Sequence, residues 1–280
     1  METFLFCLRM SSENDEKRLR DQRGTQTSPT PSEEELMLAF TALPSNIEQK
    51  VLDLTGLIQA KAKQLRSKPQ VSWLPYLESG LISSQDYAFI TAFQHSQTKE
   101  ERDKLLNYFK GRVFDSLVRI VHRVCLVEEI QKFLVLIDDM LWEDTTRVSR
   151  FKPEEMEPWK AFLDLLSCSD DFVRNMASRI ISKFITYDES KPSLEDLNYY
   201  FSWLNHELQQ GNIYLQSVAR CLQLLLSRDQ YRVPFMKLNG IHKIIRLLSM
   251  GVKPQDQYQL CFCLWVTSFN PYAAERINRS

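Results

Sequence analysis

Glycine is scarce, with only 7 in 280 residues. Isolated as they are, they form neither GxGxxG nor GxxxxGKS/T, so the sequence has no known backbone nest for nucleotide phosphates. Excess positive charge is missing as well. With 35 Lys and Arg against 36 Asp and Glu, the formal net charge is -1, which leaves no electrostatic footprint for nucleic acid or an anionic membrane. No segment approaches the roughly 18 apolar residues that span a bilayer, so membrane association is expected only indirectly, through a partner. The opening METFLFCLRM has a short apolar core but no basic residues before it, and a charge run follows, so it does not read as a secretory signal.

A disulfide framework is absent too. Cys7, Cys125, Cys168, Cys221, Cys261 and Cys263 are scattered through apolar stretches, as reduced, mostly buried thiols in the cytosol would be. Cys261 and Cys263 would point about 200 degrees apart on a helix and cannot share a metal there. His95, His122, His206 and His242 stand singly, none with a histidine or carboxylate partner at helical metal-site spacing. No catalytic residue, metal or cofactor is expected. The acids Glu128, Glu129, Asp138, Asp139, Glu143 and Asp144 lack the Glu-x-x-His elements of a two-metal bundle. They read as a solvated acidic face, with a contact for a basic partner helix as the alternative.

What the sequence does have is abundant Leu, Arg, Lys, Glu and Gln, so it predicts helix nearly throughout. Residues 1–35 read as a disordered leader, because 11–35 carry charge, Ser, Thr and Pro with almost no large apolar side chains. Residues 36–280 read as a single helical repeat domain. Ser32 and Pro44-Ser45-Asn46 mark a cap and a break in its first helical pattern, Glu33 to Leu65. Ser83 or Ser84 caps the next long helix, Thr98 caps another, and Gly111 can break that one in two.

From Pro158 one plan recurs. WKAFLDLLSC, a Ser/Asp turn and FVRNMASRIISKFITY are followed by LNYYFSWLNHELQQ, a break at Gly211-Asn212 and YLQSVARCLQLLLS. A third version runs IHKIIRLLSMGVKPQDQYQLCFCLWVTSF after the Asn239-Gly240 junction. Each unit is a helix ending in "LL", a polar turn, and an apolar helix containing Ala or Cys, at a period of roughly 40 residues. The expected fold is all-α, a right-handed superhelical solenoid of stacked armadillo/HEAT-like repeats; an ordinary helical bundle is the competing arrangement. Trp73, Trp142, Trp159, Trp203 and Trp265 sit among Leu or Ile at helical spacing and read first as core.

The stretches VSWLPYLESGLISSQDYAFITAF, IDDMLWEDTTRVS, MASRIISKF, DLNYYFSWL, VARCLQLLLSRDQYR and QYQLCFCLWVTSFNP resemble the H subunit family of the vacuolar-type proton-pumping ATPase (V-ATPase), over about Ile58 to Arg279. That resemblance implies a non-catalytic, regulatory member of the cytosolic ATPase sector. Such a protein clamps the peripheral stalk, made of the E and G subunits, to the membrane sector, supports coupling, and silences hydrolysis when the sectors separate. It also implies a peripheral location on the cytosolic face of vacuolar membranes. Relative to the family, the leader is longer, Glu48 to Leu57 looks inserted, and the rest of the solenoid and the C-terminal domain are expected to be missing after Ser280. The helix from Tyr258 to Phe269 is expected to turn Leu260, Phe262, Leu264 and Trp265 partly toward a following repeat.

In armadillo arrays the third helix of each repeat lines the concave face with a Trp and, four residues on, an Asn. The corresponding pairs here are Arg179 and Lys183, Cys221 and Leu225, and Trp265 and Phe269. Without the Asn ladder, the face is expected to take an amphipathic helix with an acidic patch, with Arg179, Lys183, Trp265 and Phe269 as partner-binding residues. A free armadillo adaptor for a helical or peptide partner, unrelated to proton transport, is the alternative function, and the missing ladder counts against it.

Overall fold

The structure is a computed structural model that describes residues 56–109, 112–124, 126–151, 157–188 and 191–278. The expected leader, Ser32, the Pro44-Ser45-Asn46 break, Gly111, Cys7 and Cys125 lie outside the described residues. Among the described residues the regular structure is entirely helical. In chain order the helices are α1 (Leu57–Arg66), α2 (Leu74–Glu78), α3 (Ser84–His95), α4 (Lys99–Phe109), α5 (Arg112–Arg123) and α6 (Val127–Glu143). They continue with α7 (Lys160–Leu163), α8 (Asp171–Tyr187), α9 (Leu194–Glu207), α10 (Leu215–Leu226), α11 (Asp229–Lys237), α12 (Gly240–Ser249), α13 (Pro254–Ser268) and α14 (Pro271–Asn278).

Polar residues start several of these helices, at Ser83 and Thr98 as expected. The Ser83 hydroxyl accepts from the Asp86 N–H at 3.1 Å while the Asp86 carboxylate accepts from the Ser83 N–H at 3.0 Å, a reciprocal box that opens α3. Thr98 and Glu101 form the same box before α4. Asp170 accepts from the Val173 N–H at 2.8 Å to open α8, and Ser193 does so for α9. One expected helix is shorter than its pattern. WKAFLDLLS yields α7 and then a 3₁₀ turn over Asp164–Ser167, which leaves the Leu166 carbonyl to accept from the Trp203 indole N–H at 3.0 Å.

The helices α6, α8, α10 and α13 pack successively side by side and form the spine of the molecule. They begin at Val127, Asp171, Leu215 and Pro254, intervals of about 40 residues that match the period read from the sequence. The middle of this row is enclosed: every residue of α8 from Phe172 to Thr186 except Arg174 is buried. Small residues let neighbouring backbones approach. Ser178 Oγ lies 3.5 Å from Cys221 Sγ, and the Cys263 thiol donates to the Ala219 carbonyl at 3.3 Å. This is the packing reason for the recurring Ala and Cys. Burial pushes the Cys263 thiol up to about 12, so it stays protonated.

The remaining helices back the row, and their polar tips latch it. The Tyr200 hydroxyl donates to the Ser178 carbonyl at 2.7 Å, and the Tyr231 hydroxyl to the Ile185 carbonyl at 3.1 Å. At the far end α14 packs on α13 through Ala273 and Ile277. Leu260 and Leu264 are therefore core residues rather than partly outward ones, because their side of α13 faces α10 and the backing helices; Phe262 and Trp265 are half-buried.

The Asn239-Gly240 junction depends on a close approach. Asn239 is left-handed, with φ 60°, and a Cβ on Gly240 would fall 2.2 Å from the buried Phe235 ring. Gly240→Ala is expected to destabilise the fold by about 1–3 kcal/mol through overpacking. Urea unfolding should show a lower midpoint with an unchanged slope. Phe235→Leu in the same chain should return part of the loss, and a neutral Gly240→Ala would mean the ring moves freely.

Candidate functional site

The acids read as one solvated face mostly meet polar partners on neighbouring segments, and Glu128 also meets Lys132 of its own helix. Glu128 accepts from Lys68 and Lys132 at 2.9 Å each, and those ammonium groups hold its carboxyl at about 2. Asp139 meets Arg66 of α1 with contacts of 2.7 and 2.5 Å. Glu143 is clamped by Arg102 of α4 and, at 2.6 Å, by Arg147, and Asp144 pairs with Lys99 at 2.9 Å. The solvated-face reading thus holds for the half-exposed Glu128 and Asp139 and is corrected at Asp138. The carboxylates of α6 mostly join neighbouring elements to it.

Asp138 is the extreme case, with 2% of its side chain exposed. The Lys183 ammonium donates to its Oδ1 at 2.7 Å and to its backbone carbonyl at 3.0 Å, while Arg179 Nη2 donates to Oδ2 at 3.3 Å. Burial alone would push the Asp138 carboxyl up; the two cations overcome it and hold the group at about 2. The Lys183 ammonium also lies 5.6 Å over the Trp142 ring. That arrangement explains why Trp142, read as core, is 41% exposed: its ring roofs the triad at the edge of the row. Arg179 and Lys183 are themselves buried, and the acid facing them here is Asp138 of α6.

The other aligned positions diverge. Cys221 and Leu225 are buried between α8, α9 and α13 rather than presented on a face, because α10 is rotated so that Arg220 and Leu224 lie at its edge. Trp265 and Phe269 do come together. Phe262, Trp265 and Phe269 form an edge-to-face ladder with 5.1 Å between successive ring centroids, and Phe269 is 60% exposed.

Helix α1 lies across the row. Its N-terminal end sits at α10, where a Cβ on Gly56 would come within 2.9 Å of Gln216 Oε1. Its middle passes over α8, and its C-terminal end reaches α6 through the Arg66–Asp139 pair. Beside that end opens a cleft of about 250 Å³, floored by Leu65, Val71, Val135 and Leu136 and rimmed by Lys68 and Lys132. Sequence reasoning missed this placement, and it missed the buried Arg147. For Arg147 the unmatched acids of α4 and α6 were the available signal.

Among the described residues no group of three or more His, Cys, Asp or Glu could hold a metal ion, and all four histidines are exposed. No described helix is long and apolar enough to cross a membrane.

Against known proteins, the family model for the V-ATPase H subunit matches residues 57–280. The V-type proton ATPase H subunit of Drosophila melanogaster is 39% identical over 230 residues, covering 80% of this chain and 48% of that protein. Two Caenorhabditis elegans proteins follow. One, named as the probable V-type proton ATPase H subunit 2, is 34% identical over 81% of this chain and 50% of its own length. The other, named as the probable V-type proton ATPase H subunit 1, is 30% identical over 78% and 50%. The chain spans about half the length of the curated relatives it matches.

Proposed function

The chain belongs to the V-ATPase H subunit family, and from that premise we propose that it serves as a non-catalytic component of the vacuolar proton pump's cytosolic ATPase sector. In this reading it binds the peripheral stalk, chiefly the E and G subunits, and supports coupling of ATP hydrolysis to proton transport. It sits on the cytosolic face of endomembranes and touches the bilayer only through the pump. The row of α6, α8, α10 and α13 is one wall of an armadillo/HEAT-type right-handed solenoid, a form suited to long, shallow contacts. The observation that carries the proposal is the family match over residues 57–280, which covers the whole row.

The aromatic ladder, half-buried at Phe262 and Trp265 and exposed at Phe269, supplies anchors of the kind that dominate interfaces. Arg179 and Lys183 are buried against Asp138, so in this reading they support the row from within and the ladder makes the contact. A free adaptor for extended peptides is disfavoured because the Asn ladder that would hold a peptide backbone is absent from α8, α10 and α13.

Affinity purification of the tagged chain from cells tests the family-level role. Other pump components should co-purify, with E and G retained when the sectors are dissociated, and a preparation free of pump components would overturn the proposal. Added to a detached ATPase sector lacking its own H subunit, the chain should bind, and absence of binding would overturn the proposal.

A further inference from the structure

The ten residues of α1 bury only Ile58, Ala62 and Leu65, one narrow stripe at i, i+4 and i+7. A helix of that size is about 15 Å long, close to two steps of about 8–10 Å between packed helix axes. The length suits the path that α1 takes, from α6 over α8 to α10. Within the row each helix packs on the next one, and in such an array every interface can bend separately. Helix α1 differs because it touches the first and the third helix of the row at once. We propose that α1 is a brace: it fixes the bend of the row between α6 and α10, and releasing its α10 end unlocks that bend.

The two ends of the brace are held unequally. At the α6 end Arg66 meets Asp139 and Lys68 meets Glu128, and such exposed pairs hold little by themselves. Packing does more there. Val71 and Trp73 follow α1 as buried residues, and the Trp73 ring meets Phe133 of α6 edge-on with centroids 5.7 Å apart. The Trp73 indole N–H also donates to the Gln94 side chain at 2.9 Å, which fixes the ring in place. The α10 end rests instead on Ile58 and on the close approach of the buried Gly56 to Gln216. A helix seated by a few side chains opens locally before the core beneath it does, and α8 beneath α1 is buried along nearly its whole length. The α6 end is therefore the anchor and the α10 end the catch. Helix α13, with the aromatic ladder, is held by α10, α12 and α14 and lies past the catch. A partner making a long contact thus meets a surface whose shape is set in advance from α6 to α10, which lowers the ordering cost of binding.

The proposal uses the row alone, so its test needs no pump component and failure of the affinity purification leaves it untouched. Spin labels on noncanonical residues at the exposed Val127 and Ser227 report the separation of α6 and α10, and labels at Ser227 and the exposed Lys253 report that of α10 and α13. In the full chain, Ala62→Asp at the buried centre of the stripe should release the whole of α1. Ile58→Asp should release its α10 end while Trp73 stays seated. Both variants should speed hydrogen exchange of residues 57–61 by at least about tenfold, with residues 171–187 keeping their protection. Both should widen the α6–α10 distance distribution by at least about twofold and leave the α10–α13 distribution as it was, because a brace held at one end restrains nothing. An α6–α10 distribution of unchanged width in the released variants overturns the proposal. So does equal widening between α10 and α13, which would mean that the row itself had loosened. Unchanged exchange of 57–61 in both variants would show that the stripe does not seat the helix, and loss of protection at 171–187 in both would make α1 part of the core; either result also overturns it.

Discussion

Asp138→Ala is expected to lower the unfolding free energy by about 3–5 kcal/mol, the usual cost of removing one partner from a buried ion cluster. The loss comes less from the two contacts at 2.7 and 3.3 Å than from what remains. The Lys183 ammonium and the Arg179 guanidinium would be stranded together in an interior that hydrates neither. Replacing all three side chains with leucine or methionine of similar volume should recover most of the stability. The measurement is the urea midpoint of the single and triple variants; a single variant within about 1 kcal/mol of the parent would show that water already reaches the site.

The same carboxylate sets an acid limit. Its pKa in the folded chain is about 2, below the ordinary aspartate value of 3.8, so its stabilisation is fully present above the unfolded value and lost as pH falls through the folded one. The parent should therefore lose stability between about pH 4 and pH 2 more steeply than Asp138→Ala, and parallel acid titrations of the two chains would reveal no difference if the cluster were uncoupled from folding.

Arg147→Ala should cost about 3 kcal/mol, somewhat less than the loss at Asp138. The Arg147 side chain is fully buried and donates to Asp103 at 2.9 Å, to Glu143 at 2.6 Å and to the Met140 carbonyl at 3.0 Å, so it ties the 3₁₀ turn Thr145–Phe151 to α4 and α6. Its absence strands less charge, because Asp103 and Glu143 are each about a quarter exposed and Glu143 keeps Arg102. Arg147→Lys should restore less than half, since one ammonium cannot reach all three acceptors with a planar fork. Full rescue by lysine would mean that only the charge matters.

The helical class, the caps at Ser83 and Thr98 and the period of the row were legible because each rests on local chemistry: a hydroxyl ahead of an acid at the third position, or an apolar stripe interrupted by a polar turn. The Ala and Cys positions were legible for a related reason, since small side chains at one helical position announce a close neighbour. The candidate site was less so. Placing Cys221 and Leu225 on a face required the rotation of α10 about its own axis, which is decided by α8, α9 and α13 together and leaves no mark within the helix. Asp138 and Asp139 are adjacent in sequence, yet one is buried between two cations and the other pairs at the edge, because successive helical positions point about 100 degrees apart. The crossing of α1 was invisible for a further reason: a ten-residue stripe fits any apolar surface.

The position of α1 also fixes an order of events. Polar contacts between neighbouring row helices join residues 41 to 45 apart in the chain, whereas docking α1 joins Arg66 to Asp139, 73 apart, and Gly56 to Gln216, about 160 apart. Closing the longest of these loops costs about 1 kcal/mol more than closing one between neighbours, with few new contacts to offset it. The row can therefore assemble before α1 is in place, and α1 seats last on a surface that is already built. A chain folding in that order passes through an interval in which the side of the row that α1 covers is not yet occupied by α1.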